Sequence, residues 1–124
     1  APPKTVGHND GTARLGGRGD DALAYLHAHD GQDDIGADLL LTDVTLDGEV
    51  SGLDLLRAVR NEFGYGKRRL PVLVMTGDSN RDKQSNLLRE GANDLVLKPI
   101  EERMLITKTQ FQLRMAKLPE RTTV

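Results

Sequence analysis

Three short apolar runs, each ending on a polar or charged residue, constrain the fold of this chain most. They occupy residues 38–43, 70–76 and 94–98 and end at Asp43, Thr76 and Lys98. Apolar runs of this length are typical of strands that are buried on both faces of a parallel sheet. The carboxyl ends of parallel strands share one edge of an open α/β sheet, and ligands bind at that edge. We therefore expect the three side chains to converge.

Patterns typical of helices lie between and after these runs, so strands and helices alternate as in the βα units of a parallel sheet. Apolar residues recur at helical spacing, and capping residues flank the segments. The first predicted helix spans residues 20–28, the second spans 52–63 with Ser51 as its cap, and the last spans 101–118. The third is capped by Asp78 or Ser79 and ends at Glu90. Ala22, Leu23 and Leu26 share one face of the first, and Leu105, Phe111 and Met115 are predicted to face inward in the last.

The three strand-end residues together suggest phosphoryl chemistry. A carboxylate can attack phosphorus to form an acyl phosphate, while an ammonium group and a hydroxyl group hold the oxygens of the transferred phosphoryl group. Taken alone, each residue has an ordinary interpretation: a helix cap or surface charge for Asp43, a β-branched strand residue for Thr76 and a solvated charge for Lys98. Their occurrence in this order at three successive strand ends favours a common site.

With these motifs in place, the chain resembles the receiver domain of two-component response regulators over about residues 19–118. The matching segments are 41–44, 51–56 and 90–99. The resemblance implies a flavodoxin-like, doubly wound, parallel five-stranded α/β sheet and a signalling module rather than an enzyme. It also implies that Asp43 is the phosphoacceptor, Thr76 the hydroxyl that senses the phosphoryl group and Lys98 the cation that pairs with it. Receivers generally have a cis bond at the position of Lys98–Pro99.

The loop at residues 46–49 replaces the Met-Pro of common receivers and makes the spacing from Asp43 to Gly52 one residue longer. Receivers attached to hybrid histidine kinases often have such a loop, which suggests a parent of that type.

The first eighteen residues depart from the family. A receiver begins with a strand that ends in two adjacent acidic residues, followed by a helix and a second strand. Residues 4–10 match that first strand and loop, but the acidic pair becomes His8 and Asn9 or, one residue later, Asn9 and Asp10. Space for about one helix is lacking before Gly19. Either the domain is degenerate, or a segment between about Leu15 and Gly19 is absent from the sequence.

A divalent cation is also implied by the resemblance, with Asp43, Asp10 and the backbone carbonyl of Thr45 as its protein ligands. Mg²⁺ prefers oxygen ligands and commonly takes one or two carboxylates together with water and phosphate oxygens. The residues therefore predict a Mg²⁺ site with fewer carboxylates than is usual for the family.

Two alternative functions are compatible with these residues. A pseudo-receiver would keep the fold as an interaction module that never takes a phosphoryl group. The lost acidic pair favours it, as does Leu95, where receivers usually carry Tyr or Phe. A phosphohydrolase related to the haloacid dehalogenases would need a second aspartate two residues after the nucleophile, and this chain has Thr45 there.

Composition agrees with one domain over residues 1–124, atypical in residues 1–18 and ending in a short polar tail at 119–124. Seventeen basic and nineteen acidic residues give a net charge of -2, which offers no electrostatic case for binding nucleic acid. The chain has no cysteine and no apolar run long enough to span a membrane. We expect a cytoplasmic module that receives its phosphoryl group from a histidine kinase or a histidine phosphotransfer protein. The resemblance also implies that it signals, and can form a homodimer, through the surface around its last two helices.

Overall fold

The computed structural model describes residues 5–6, 19–44 and 50–117, and in this part of the chain four strands alternate with four helices. The strands are β1 (Thr5–Val6), β2 (Leu39–Asp43), β3 (Val72–Thr76) and β4 (Asp94–Leu97). The helices are α1 (Gly19–His29), α2 (Gly52–Arg57), which continues into a π-helical turn at Ala58–Glu62, α3 (Arg81–Glu90) and α4 (Glu102–Lys117).

The strands form one parallel sheet in the order β1-β2-β3-β4. Thr42 lies opposite Val74 and Asp43 opposite Met75, while Thr76 lies opposite Leu97. The predicted flavodoxin-like α/β class is confirmed. The predicted fifth strand has no counterpart in the segments that the structure describes.

Three helices cover one face of the sheet. Every residue of β3 is buried, and successive side chains of a strand point to opposite faces. The main apolar cluster joins alternate strand residues to α1, α2 and α3. Its strand members are Leu40, Val72, Val74 and Leu95, and its helix members include Ala22, Leu26, Leu55, Leu56 and Leu87. The alternate residues Leu39, Leu73, Met75 and Val96 are also buried, and on that second face α4 contacts β2 and β4.

Polar contacts contribute to the attachment of α4 to the sheet, beside the half-buried apolar residues Leu105 and Leu113. None of its residues is buried. Lys108 Nζ donates to Asp94 Oδ2 at 3.1 Å and to the carbonyl of Leu95 at 2.8 Å, and Gln112 Oε1 accepts from Asn93 at 3.0 Å.

Two of the inward positions predicted in α4 are therefore wrong. Phe111 is 54% exposed and Met115 is 42% exposed. The positions that turn towards the sheet include Lys108 and Gln112, which are half-buried and hydrogen-bonded to it.

Arg60 organises the opposite end of the sheet from Asp43. Its guanidinium group donates to the carbonyls of Gly91, Tyr65, Gly66 and Leu70 and to Asn93 Oδ1, at 2.8–3.1 Å. Burial lowers the pKa of Arg60 to about 10, which leaves it protonated at neutral pH. Asn93 continues the network by accepting from the backbone N–H of Val72 at 2.9 Å. One side chain thus ties the π-helical turn to the loop before β3 and to the end of α3.

In the described part of the chain no helix combines the length and the apolar character that crossing a bilayer requires.

Arg60→Met should lower the free energy of unfolding by about 3 kcal/mol, because it leaves several partly buried carbonyls without their charged donor. Urea denaturation at neutral pH measures the change. Arg57→Met is the matched control, since Arg57 forms an exposed pair with Glu90 at 3.1 Å, and water can replace that contact. Equal losses in the two variants would contradict a special role for Arg60.

Candidate functional site

Asp43, Thr76 and Lys98 lie at one edge of the sheet. Asp43 is the last residue of β2, Thr76 is the last residue of β3, and Lys98 directly follows β4. Lys98 Nζ donates to Asp43 Oδ2 in an ion pair that crosses the end of β3. The structure therefore brings together the three residues that the sequence singled out, with the carboxylate and the ammonium group in direct contact.

The ion pair is open to solvent on one side. The side chain of Asp43 is 18% exposed and that of Lys98 is 42% exposed. Thr76, by contrast, is only 2% exposed, and its backbone carbonyl accepts from the N–H of Lys98 at 2.8 Å. Asp43 is thus reachable from solvent, while the hydroxyl-bearing end of β3 beside it is buried.

Backbone contacts on two sides hold Asp43 in place. After Asp43, the N–H of Val44 donates to the carbonyl of Met75 at 3.0 Å, which extends the β2–β3 pairing by one residue. On the other side, the N–H of Gly52 donates to the carbonyl of Val44 at 3.1 Å. A Cβ atom at residue 52 would lie 1.9 Å from the carbonyl oxygen of Asp43, so only glycine fits there.

Ser51 begins α2 beside this contact, as predicted. Its hydroxyl accepts from the N–H of Asp54 at 3.1 Å, and Asp54 Oδ2 accepts from the N–H of Ser51 at 3.0 Å. This reciprocal capping box satisfies backbone donors at the start of the helix. The hydrogen bonds from Ser51 lower the pKa of the Asp54 carboxyl group.

The loop after β3 is built on Asp78. Its N–H donates to Thr76 Oγ1 at 3.1 Å, and its carboxylate accepts from the N–H of Asn80 at 2.8 Å and pairs with Lys83 at 3.1 Å. The hydrogen bond from Asn80 and, to a smaller extent, the contact with Lys83 lower the pKa of the Asp78 carboxyl group.

The cap predicted for α3 is wrong. Asn80, and neither Asp78 nor Ser79, caps the helix by accepting from the N–H groups of Asp82 and Lys83. The sequence reasoning also missed the contact of Asp78 with Thr76. A threonine at a strand end is a turn signal that could have indicated it, because its hydroxyl can accept from the backbone N–H two residues later.

Two of the predicted cation ligands, Asp10 and Thr45, lie outside the described residues, as do His8 and Asn9. Of the predicted ligand set the structure therefore places only Asp43. Among the residues it describes, no three histidine, cysteine or acidic side chains form a group that could hold a metal ion. The chemistry of the proposed donors, a carboxylate pair and a carbonyl, suits a hard cation that also binds water and phosphoryl oxygens.

The Lys98–Pro99 bond is cis, as predicted.

The family model for the response regulator receiver domain matches residues 9–110. This match covers most of the chain and agrees with the sheet and with the strand-end site described above. The chain belongs to the receiver domain family of response regulators. Receiver domains interact with histidine kinases or phosphotransfer proteins, and they generally bind Mg²⁺ at their phosphorylation site.

Relatives with known names support the same family. The chemotaxis protein CheY of Pseudomonas aeruginosa is 35% identical over 74% of this chain and 67% of its own length. The two-component response regulator ARR7 of Arabidopsis thaliana is 31% identical over 64% of this chain. The chain spans only 40% of the length of ARR7.

Solved structures share the fold. The receiver domain of a Francisella response regulator has a TM-score of 0.74 at 17% identity, over 94% of this chain and 100% of that one. The receiver domain of a signal transduction histidine kinase from Syntrophus aciditrophicus has a TM-score of 0.72 at 20% identity, over 99% of this chain and 98% of that one.

Gly52→Ala should lower the free energy of unfolding by about 2 kcal/mol or more, because the new methyl group would overlap the carbonyl of Asp43 and push the end of β2 away from β3. Gly66→Ala is the matched control, since a Cβ atom there meets nothing within 4 Å and the backbone needs no left-handed conformation. Thermal and urea unfolding compare the two variants. A Gly52→Ala protein as stable as Gly66→Ala would disprove the close contact.

Proposed function

We propose that Asp43 accepts a phosphoryl group from the phosphohistidine of a histidine kinase or a histidine phosphotransfer protein. The observation that carries the proposal is the Lys98–Asp43 ion pair at the carboxyl edge of a receiver sheet. The carboxylate is partly exposed to solvent and lies beside the cation that the transferred group requires. The module acts as a signalling switch and not as an enzyme that turns over a substrate.

In the proposed transfer, a carboxylate oxygen of Asp43 attacks phosphorus and the phosphorus–nitrogen bond of the donor breaks. The electron pair of that bond returns to the imidazole ring of the donor, and Asp43 becomes an acyl phosphate. Lys98 moves from the carboxylate to an oxygen of the phosphoryl group, where it balances the transferred charge. The Thr76 hydroxyl, which now accepts from Asp78, donates to another phosphoryl oxygen.

Asp43, Asp10 and the backbone carbonyl of Thr45 would hold Mg²⁺ in this proposal. When bound, the cation supplies positive charge that stabilises the transferring phosphoryl group. Asp10 would be the second protein carboxylate, which is within the range that Mg²⁺ commonly uses.

The signal would leave through an apolar surface formed by the ends of α3 and β4 and one side of α4, hereafter the α3–β4–α4 surface. Its members are Leu88 of α3, Leu97 of β4, and Met104, Phe111 and Met115 of α4, which are 42–54% exposed. Large exposed apolar side chains that share a surface mark interaction sites. Met104, Phe111 and Met115 are seven and four residues apart and so lie on one side of the helix. We propose that two copies of the chain pack through this surface.

The wider setting is also a proposal. A net charge of -2 supports a protein partner rather than nucleic acid. Exchange with a kinase supports a cytoplasmic location. The longer loop at residues 46–49 supports a parent related to hybrid kinases, with this chain as one receiver domain.

Incubation with acetyl phosphate and Mg²⁺ should add one phosphoryl group to the wild-type protein and none to Asp43→Asn, as measured by intact mass. Chelation of the cation should abolish the gain. Lys98→Met should slow the uptake by about a hundredfold, because one charge-stabilising donor is lost. Lys67→Met, which removes an exposed lysine in the loop before β3, at the other end of the sheet, should leave the rate unchanged. A wild-type protein that gains no phosphoryl group would instead be the pseudo-receiver, which Leu95 also favours.

Phe111→Ser should keep the phosphorylated protein monomeric, because it removes the most exposed apolar side chain of the α3–β4–α4 surface. Light scattering coupled to size-exclusion chromatography measures the mass before and after phosphorylation. Ile106→Ser is the matched control: it is 46% exposed but lies on the other side of α4, and it should still form the dimer. Dimerisation of Phe111→Ser at the wild-type concentration would show that the surface is not the interface.

A further inference from the structure

The first turn of α1 contacts Val50, the residue that precedes the cap of α2. Asp20 Oδ1 accepts from the backbone N–H of Val50 at 2.9 Å, across thirty residues of sequence. Gly19 approaches the carbonyl of the same residue so closely that a Cβ atom at position 19 would lie 2.1 Å from Val50 O. Both polar backbone atoms of Val50 therefore face α1.

Val50 leads directly to the contact that holds the phosphoacceptor. Ser51 follows it as the cap of α2, and Gly52 lies against the carbonyl of Asp43. The N–H of Gly52 also donates to Val44, the residue after Asp43, at 3.1 Å. A displacement of Val50 would therefore reach the carbonyl groups of Asp43 and Val44 through two peptide units.

We propose that Asp20 is a positioning residue for phosphoryl transfer, acting on Asp43 through Val50 and Gly52. This inference rests on the proposed function of Asp43. Among the described residues, the backbone of β3 at Met75 and the Val50–Gly52 segment both support the end of β2. The β3 support is part of the sheet, whereas the second support is a loop segment to which Asp20 contributes a side-chain hydrogen bond. The carboxylate must meet phosphorus in line with the leaving group, so a small displacement lowers the rate steeply.

The role assigned to Asp20 is that of a hydrogen-bond acceptor at a fixed point, and this separates it from a general effect of negative charge. An acidic side chain in the first turn stabilises any helix, and Asp21 supplies the same charge one residue later. Asparagine keeps an oxygen at the Oδ1 position and loses the charge. Glutamate keeps the charge but moves the oxygen by one methylene group.

The experiment compares Asp20→Ala, Asp20→Asn and Asp20→Glu with Asp21→Ala and the wild-type protein. Initial rates of phosphoryl uptake are measured over a range of acetyl phosphate concentrations at saturating Mg²⁺, at a temperature where circular dichroism shows each variant folded. Amide hydrogen exchange of Val50 and Gly52 is measured in the same samples without a phosphodonor.

Asp20→Ala and Asp20→Glu should lower the maximal rate about fivefold, as loss of one hydrogen bond implies, with the half-saturating donor concentration unchanged. Both should speed exchange of the Val50 amide. Asp20→Asn and Asp21→Ala should keep the wild-type rate and the wild-type exchange. If Asp20→Ala fails to fold, the glutamate variant carries the test.

Wild-type rates in both Asp20→Ala and Asp20→Glu would overturn the proposal, as would an Asp20→Asn variant as slow as Asp20→Ala, because charge alone would then explain the effect. A wild-type protein that takes no phosphoryl group would refute the function proposed for Asp43, but it would not refute the hydrogen bond between Asp20 and Val50. The exchange of the Val50 amide would still decide that contact, and unchanged exchange in Asp20→Ala and Asp20→Glu would refute it.

Discussion

The parallel pairing of β2 with β3 is the constraint on which the rest of the structure depends. Every side chain of β3 is buried, so its backbone groups can be satisfied only by the neighbouring strands. The pairing puts Asp43 opposite Met75, and the N–H of Val44 continues it beyond the last strand residue. Because β4 pairs with the other edge of β3, the strand register alone places Lys98 beside Asp43.

The two ends of the sheet are built differently. At the amino end, Arg60 and Asn93 satisfy the carbonyls and amides of several loops at once, and Arg60 is half-buried. At the carboxyl end, the ion pair of Asp43 and Lys98 keeps part of its surface in solvent. If the Asp43–Lys98 pair opens during phosphoryl transfer, as proposed, water at this exposed end can solvate each charge as the pair separates. The closed network at the other end can stabilise the fold without being disturbed by that opening.

The sequence predicted the three long strands, the cap at Ser51 and the meeting of Asp43 with Lys98, because buried parallel strands are apolar runs and their ends share an edge. It could not predict the network of Arg60, whose acceptors are mainly backbone carbonyls, since every residue has one. It also misplaced Phe111 and Met115. Helical spacing shows that α4 has apolar residues but not that its sheet-facing side uses Lys108 and Gln112.

The polar attachment of α4 has a physical consequence for signalling. Because Lys108 donates to β4, Gln112 accepts from Asn93 and no residue of α4 is fully buried, the large apolar side chains of the helix remain exposed on the α3–β4–α4 surface. β4 belongs both to that surface and to the proposed phosphorylation site: Leu97 is 53% exposed, and Lys98 is the next residue. If the Lys98 ammonium group moved from the carboxylate to a phosphoryl oxygen, as proposed, the backbone next to Leu97 would therefore be displaced. In a chain with Leu95 in place of the usual aromatic residue, this covalent link would be a direct route from the proposed site to the proposed surface.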